Sequence, residues 1–254
     1  MLVINQNFSY SACQNMALDA WLLQEMQDEV ILRVFEFSKP SITLGFSMKP
    51  HEWLEQIPKN IDMSKRVTGG KALVHSNGLT YAIHIPKKMM PENLYESYKS
   101  LSQPIFDSLK AFDSNLEFSE DDLFIDKKNP ICFMEHKTET ICVGGAKIVG
   151  SAQKRTKNGI LQHGEINLFP NDIDMCSIFK IDKSQIISQQ DYQKRCSSLL
   201  TKELMTNSIE IKSDIKQNII KNFEKNYGKS TPYPIKSIDQ NAIDILAKKL
   251  EIKL

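Results

Sequence analysis

The stretch TICVGGAKIVGSAQKRTKNGILQHGEINLF, residues 140–169, reads as a strand, a Gly-Gly turn, a long strand, a Lys-Asn-Gly turn and another strand. The pattern is a meander. Taken as a strand, AKIVGSAQ puts Lys147, Val149, Ser151 and Gln153 on one face and Ala146, Ile148, Gly150 and Ala152 on the other. Gly150 and Ala152 leave room on their face for a neighbouring element. His163, followed by Gly164, falls on the next strand and meets the same region if the hairpin folds back on itself. Lys147 is either a solvated charge or, beside a ligand carbonyl, a cationic donor to developing negative charge.

Upstream, RVTGGKALVHSNGLTYAIHIP (residues 66–86) carries a second Gly-Gly pair ahead of an alternating run. Gly69 and Gly70 remove two side chains at one point, which suits a tight turn or the close approach of a ligand to main-chain N–H groups. Arg66 and His75 flank them, and neither is diagnostic alone. Leu79, Tyr81, Ile83 and Ile85 alternate with Thr80, Ala82 and His84, which predicts a strand with one buried face, stopped by Pro86. Asn15 to Glu25 has the spacing of a core-facing helix, with Ser9 and Ser11 as caps. ILRVFEFS and SITLGF, separated by Lys39-Pro40, predict two neighbouring strands, the second ending at Gly45.

Pro91 to Phe112 is helical in spacing but carries Pro104, so two pieces or a kink are expected. After Pro170 the chain shows helices without strand signals. Ile211, Ile215, Ile219 and Phe223 follow at i+4 spacing, then the breaker YGKSTPYP and a last helix from about Asn241 to Leu250. The expected class is α+β, with a core over residues 1–170 and a helical C-terminal portion, 171–254, packed on it.

The 254 residues hold 32 basic and 31 acidic side chains, so there is no global field to draw nucleic acid. No apolar run approaches the length of a membrane span, and the N-terminus lacks a basic segment followed by an apolar one, which leads us to expect a cytoplasmic protein with no membrane partner. Cys13, Cys132, Cys142, Cys176 and Cys196 form no CxxC pair, in keeping with a reducing compartment. The histidines at 51, 75, 84, 136 and 163 lack HxxxH spacing, so no metal requirement is expected. Lys202 to Leu254 carries 10 lysines against 7 acids, an excess that is either a solvated surface or a means of steering acidic carrier proteins.

Cys132 lies in NPICFMEH, fifteen positions before Lys147. With a cation nearby its thiolate could attack a thioester carbonyl and pass the acyl group to an amine, a sequence that needs no ATP. A buried cysteine packed beside Phe133 is the simpler account, and the residues alone favour it.

Four segments together, NMALDAWL, SITLGF, KRVTGGKALVHSNGLTYAI and above all GAKIVGSAQKRTKNGILQHGEINL, resemble the lipoate-protein ligase and octanoyltransferase family, cofactor-transferase relatives of biotin protein ligase. The likeness runs over about residues 10 to 170. It implies a catalytic domain of mixed β-sheets flanked by helices. It also implies that Arg66, Gly69, Gly70 and His75 line the acyl pocket, that Lys147 sits near the acyl carbonyl, and that Gly150, Ser151, Ala152, His163 and Gly164 complete the substrate site. Cys132-Phe133 looks like the octanoyltransferase branch, where the matching cysteine accepts the acyl group. Glu139-Thr140 stands where ligases tend to carry Asn-Asp, and the accessory domain of full-length ligases is not matched.

Lys65, where many ligases have a second arginine, and Gly78, where the transferase branch would have an acid, depart from the pattern. The implied activity is N-octanoyl transfer from octanoyl-acyl carrier protein, through Cys132, to a lysine of a lipoyl domain or glycine-cleavage H protein, without a cofactor. Lys147 would stabilise each oxyanion with help from backbone N–H groups near the glycines. The receiver of the amine proton stays open among Lys147, His163, the leaving thiolate and water. The alternatives are an ATP- and magnesium-dependent lipoate or octanoate ligase, including one of split type, an amidotransferase between carrier proteins, and a non-catalytic acyl- or lipoyl-domain-binding protein.

Overall fold

The computed structural model describes residues 1–4, 10–25, 28–56, 58–122, 129–135, 137–171, 173–180 and 197–253. Ser9, His136, Cys196 and the side chain of Cys176 lie outside the described residues.

Strand β1 (Leu2–Ile4) leads to helix α1 (Ala12–Gln24), which starts three residues before its apolar spacing does because Ser11 and Gln14 form a reciprocal capping box. β2 (Ile31–Phe35) and β3 (Ser41–Leu44) follow. They are not neighbours, contrary to the expectation from sequence. Pro40, with no N–H to donate, falls between them, and the chain passes there from one sheet into another.

A short helix α2 (Pro50–Trp53) precedes β4 (Asp62–Lys65) and β5 (Leu73–His75), and these two flank β3 in a three-stranded sheet ordered β4-β3-β5. β6 (Leu79–Pro86) returns to the first sheet. Helix α3 (Leu94–Leu109), capped by Asn93, runs through Pro104 as one element. The lost backbone bond is outweighed by burial of Leu101, Ile105 and Leu109 against the sheet.

β7 (Leu116–Phe118), β8 (Ile141–Val143) and β9 (Ala146–Lys147) form a small third sheet. Gly144 and Gly145 turn between β8 and β9 with φ of 55° and 74°, the left-handed pair that a two-residue hairpin demands. The long strand read from AKIVGSAQ is divided at Ile148, after which β10 (Val149–Arg155) joins the main sheet beside β11 (Gly159–Ile166).

Beyond the short helix α4 (Met175–Ile178) lie α5 (Ser208–Tyr227) and α6 (Gln240–Leu250). Between them the breaker segment contains an unforeseen strand, β12 (Thr231–Pro232), parallel to β1. Pro232 is tolerated because β12 is the outermost strand.

The main sheet is ordered β10-β11-β6-β2-β1-β12. Its strands β6 and β11 are buried at every position, so the expectation of a single buried face for β6 was too narrow. Tyr81, Ile83 and Ile85 share a core with α3 and with Ile215, Ile219 and Phe223 of α5. Ala82 and Leu161 pack with Met16 and Leu23 of α1. Helix α6 closes over α1 through Ile243 and Ala247. The result is an α+β fold of mixed sheets flanked by helices. No helix among the described residues is long and apolar enough to cross a membrane.

Candidate active site

Cys132 opens a single 3₁₀ turn, Cys132–Met134, whose position is set by backbone pairing with the end of the glycine segment. Ala72 N–H donates to the Pro130 carbonyl at 2.7 Å and Cys132 N–H to the Ala72 carbonyl at 2.8 Å. The buried Asn129 side chain braces the approach, accepting from Ile131 N–H and donating to the Ile131 carbonyl, both at 3.1 Å. The thiol is half-buried.

Lys147, 8% exposed, brings its ammonium from the end of β9 to 3.3 Å from Cys132 Sγ, 3.3 Å from the Cys132 carbonyl and 3.2 Å from the Glu135 carbonyl. The Glu135 carboxylate pairs instead with Lys71 at 2.6 Å. Lys147 forms no ion pair with a carboxylate among the described residues. Two carbonyl dipoles and one thiol therefore hold a buried cation, placed to meet negative charge that develops on a carbonyl oxygen bound beside the sulfur.

Arg66 is buried, and each of its nitrogens is bonded to protein. Nε donates to Thr68 Oγ1 at 3.1 Å, NH1 to the Thr43 carbonyl at 2.8 Å, and NH2 to the carbonyls of Gly69 at 2.8 Å and Lys71 at 2.6 Å. It thus shapes the glycine turn from below. Burial pulls the guanidinium down to about 10, and the charge available to Cys132 opposes that shift. Gly70 has φ of 90°, and its carbonyl lies where a Cβ on Gly45 would come within 1.8 Å, so the turn packs backbone to backbone. Gly69 and Gly70 are exposed at the surface.

The two histidines belong to a layer behind this turn. His163 Nδ1 donates to Asp19 Oδ2 at 2.9 Å, so its Nε2 accepts from the Thr68 hydroxyl at 2.7 Å, and Asp19 also pairs with the buried Arg33. Burial pushes the Asp19 carboxyl upward, but Arg33 and His163 outweigh it and hold the group at about 2. His75 bonds Glu165 Oε2 at 2.8 Å and Thr43 Oγ1 at 2.9 Å, under the ring of Phe37. Glu165 occupies the space left by Gly78, where a Cβ would lie 2.3 Å from its Oε1. An acidic group therefore reaches His75 from β11 although residue 78 has no side chain.

Gly150 and Gly164 are required by close packing. A Cβ at Gly150 would come 2.8 Å from Leu73 and 3.4 Å from the Phe133 ring, and one at Gly164 would come 2.5 Å from the Gly150 carbonyl. Ser151 faces the α3 side, where its hydroxyl bonds Tyr81 OH at 2.7 Å and Gln162 donates to Tyr81 OH at 3.1 Å. Ala152 stands opposite His163 in the β10–β11 register.

The structure thus brings Cys132, Lys147, the Arg66-braced glycine turn and Gly150 together. Among the described residues, no hydrogen bond or ion pair joins His75 or His163 to Cys132 or Lys147. Sequence reasoning missed Asp19, Thr68, Thr43 and Glu165. Asp19, a lone acid in the apolar run ALDAWL, was the one visible signal.

Residues 11–224 match the model of the lipoyl protein ligase A/B catalytic domain. Octanoyltransferase LipM of Bacillus anthracis is 28% identical over 92% of this chain and 90% of its own length. LipM of Carboxydothermus hydrogenoformans is 30% identical over 72% of this chain and 70% of its own. The bi-partite lipoate protein ligase of Thermoplasma acidophilum, solved in a study of that ligase and its E2 lipoyl domain, superposes with a TM-score of 0.68 at 15% identity, covering 98% of this chain and 90% of that one. That last likeness is one of fold. With the domain match spanning both glycine segments, the cysteine turn and the lysine strand, this chain is a member of the lipoyl protein ligase A/B catalytic-domain family.

Proposed function

We propose that this enzyme is an octanoyl-[acyl carrier protein]:protein N-octanoyltransferase of lipoate biosynthesis that works through a Cys132 thioester. The observation that carries the mechanism is the Lys147 ammonium 3.3 Å from Cys132 Sγ, with no carboxylate partner among the described residues. The relatives named octanoyltransferase support the acyl group and the reaction class. The lipoyl domain studied with the Thermoplasma ligase supports the kind of acceptor.

In the first step the Cys132 thiolate attacks the thioester carbonyl of the octanoyl donor. The C–S bond to Cys132 forms as the carbonyl oxygen takes the negative charge, which the Lys147 ammonium stabilises. Collapse breaks the original C–S bond, and the donor thiolate departs and takes up a proton. In the second step a lysine amine of a lipoyl domain or glycine-cleavage H protein attacks the acyl-cysteine. The oxyanion forms beside the same ammonium, the amide is made, and the Cys132 thiolate is released as the amine gives up its proton.

The Cys132 N–H is committed to the Ala72 carbonyl and does not serve as an oxyanion donor. The exposed amides of the Gly69-Gly70 turn have no protein acceptor among the described residues and are candidate oxyanion donors. Neither step uses a nucleotide.

The test is a product assay. Wild type should octanoylate a lipoyl domain from octanoyl-carrier protein in the absence of ATP, and Cys132→Ser should not. Transfer that requires ATP and survives the substitution would overturn the proposal in favour of a ligase.

A further inference from the structure

Phe46, just past β3, exposes 63% of its surface. It belongs to the rim of the glycine turn, since its N–H donates to the Thr68 carbonyl at 2.8 Å and Gly45 behind it packs against Gly70. Two ammonium groups bracket the ring. Lys65 Nζ, from the end of β4, lies 5.8 Å from its centroid, and Lys154 Nζ, from β10, lies 5.4 Å away. Phe46 follows β3 and Lys65 ends β4 of the β4-β3-β5 sheet, and Lys154 comes from the six-stranded main sheet. Neither lysine forms an ion pair among the described residues, whereas nearby Lys71 pairs with Glu135. The rim is also joined to the reacting groups: Lys71 follows Gly70 in the chain, and the carbonyl of its partner Glu135 accepts from Lys147.

We propose that Phe46, Lys65 and Lys154 form the docking surface for the acyl donor, an acidic carrier protein whose phosphodiester-bearing arm passes the glycine turn to reach Cys132. This rests on the transferase reading above. An exposed ring flanked by unpaired cations offers an apolar anchor together with a local positive field that raises the on-rate of an anionic partner. The donor, not the acceptor, fits that field. A carrier arm brings a phosphodiester to the rim, while the acceptor must bring a lysine, which two unpaired ammonium groups repel.

The experiment separates loading from delivery in single turnovers. Loading of Cys132 is measured from octanoyl-carrier protein and from octanoyl-N-acetylcysteamine, and delivery is measured from preloaded enzyme to a lipoyl domain. Wild type is compared with Lys65→Glu/Lys154→Glu and with Phe46→Ala. Charge reversal should slow loading from the carrier protein about 30-fold and flatten its salt dependence. Phe46→Ala should slow it about fivefold. Loading from octanoyl-N-acetylcysteamine and delivery to the lipoyl domain should stay within about twofold of wild type.

Equal loss with both donors would overturn the proposal, because the rim would then shape the site itself. Loss confined to delivery would also overturn it and assign the surface to the acceptor. Failure of wild type to load from the small thioester would instead strike the transferase reading, and the docking surface would fall with it.

Discussion

Two buried clusters lie on either side of the glycine turn, and each contains a cation beside a group that can carry negative charge. Behind the turn, Asp19, Arg33, His163, Thr68 and Arg66 form a chain in which each charged or polar group is bonded to protein. In front of it, Lys147 is held by two carbonyls and a thiol, and Cys132 is half-buried. In the first cluster Asp19 neutralises Arg33, while Arg66, with no carboxylate partner among the described residues, has each of its nitrogens bonded to a carbonyl or hydroxyl oxygen; the cluster works as scaffold. The second lacks its anion, and a thiolate or a tetrahedral oxyanion would supply it. A desolvated charge held without an opposite charge costs stability, and Lys147, unlike Arg66, holds it within 3.3 Å of a nucleophilic sulfur, which points to chemistry.

This contrast predicts that substitutions in the two clusters separate stability from rate. Asp19→Asn strands the buried Arg33 guanidinium and should cost about 3–5 kcal/mol in a denaturant titration. The protein that remains folded should keep its rate of transfer, and a variant of wild-type stability but slow turnover would break the distinction. Lys147→Met should do the reverse. It keeps an unbranched apolar stem and removes the cation, lowering kcat by about 100- to 1,000-fold with stability unchanged or raised. Loss of stability without loss of kcat would assign Lys147 to the scaffold.

The pH dependence of stability sharpens the comparison at His84, which lies in the scaffold cluster with Nε2 bonded to the Asp19 carbonyl at 3.0 Å and Nδ1 buried without a partner. Burial holds this histidine down to about 4, below the unfolded value near 6.5. The folded state then binds fewer protons than the unfolded one between those values. Its contribution is therefore complete above about pH 6.5 and is lost as pH falls toward about 4, a change of about 3 kcal/mol. Denaturant midpoints taken across that window should fall for wild type and stay flatter for His84→Gln. The smallest effect is expected at Gly144, in the turn between β8 and β9. With φ of 55° and open space around it, Gly144→Ala should cost about 1 kcal/mol through backbone strain alone and leave turnover untouched.

Local patterns made much of this fold legible. The spacing of Ile215, Ile219 and Phe223 marked α5, and the two turns in residues 140–169 marked the β8–β9 and β10–β11 hairpins, though not their placement in separate sheets. What escaped were matters of long-range partnership. The apolar runs on either side of Lys39-Pro40 look alike, and only their pairing partners show that the chain changes sheet between them. Thr231–Pro232 is a strand because β1 lies beside it, and nothing in its own residues announces that.

The site divides in the same way. Cys132 and Lys147 were readable as residue types, yet fifteen positions of sequence do not show that backbone bonds to Ala72 bring the thiol to the ammonium. Glu165 was invisible as the partner of His75, ninety positions away, because the empty space at Gly78 that admits it exists only in three dimensions.

The most direct test of the central claim is an intact-mass spectrum of the enzyme after mixing with octanoyl-carrier protein without ATP, taken beside Cys132→Ser. A covalent thioester predicts one octanoyl adduct on wild type only, labile to hydroxylamine and discharged on adding a lipoyl domain. No adduct on wild type, with octanoate transfer by both proteins once ATP is supplied, would contradict it.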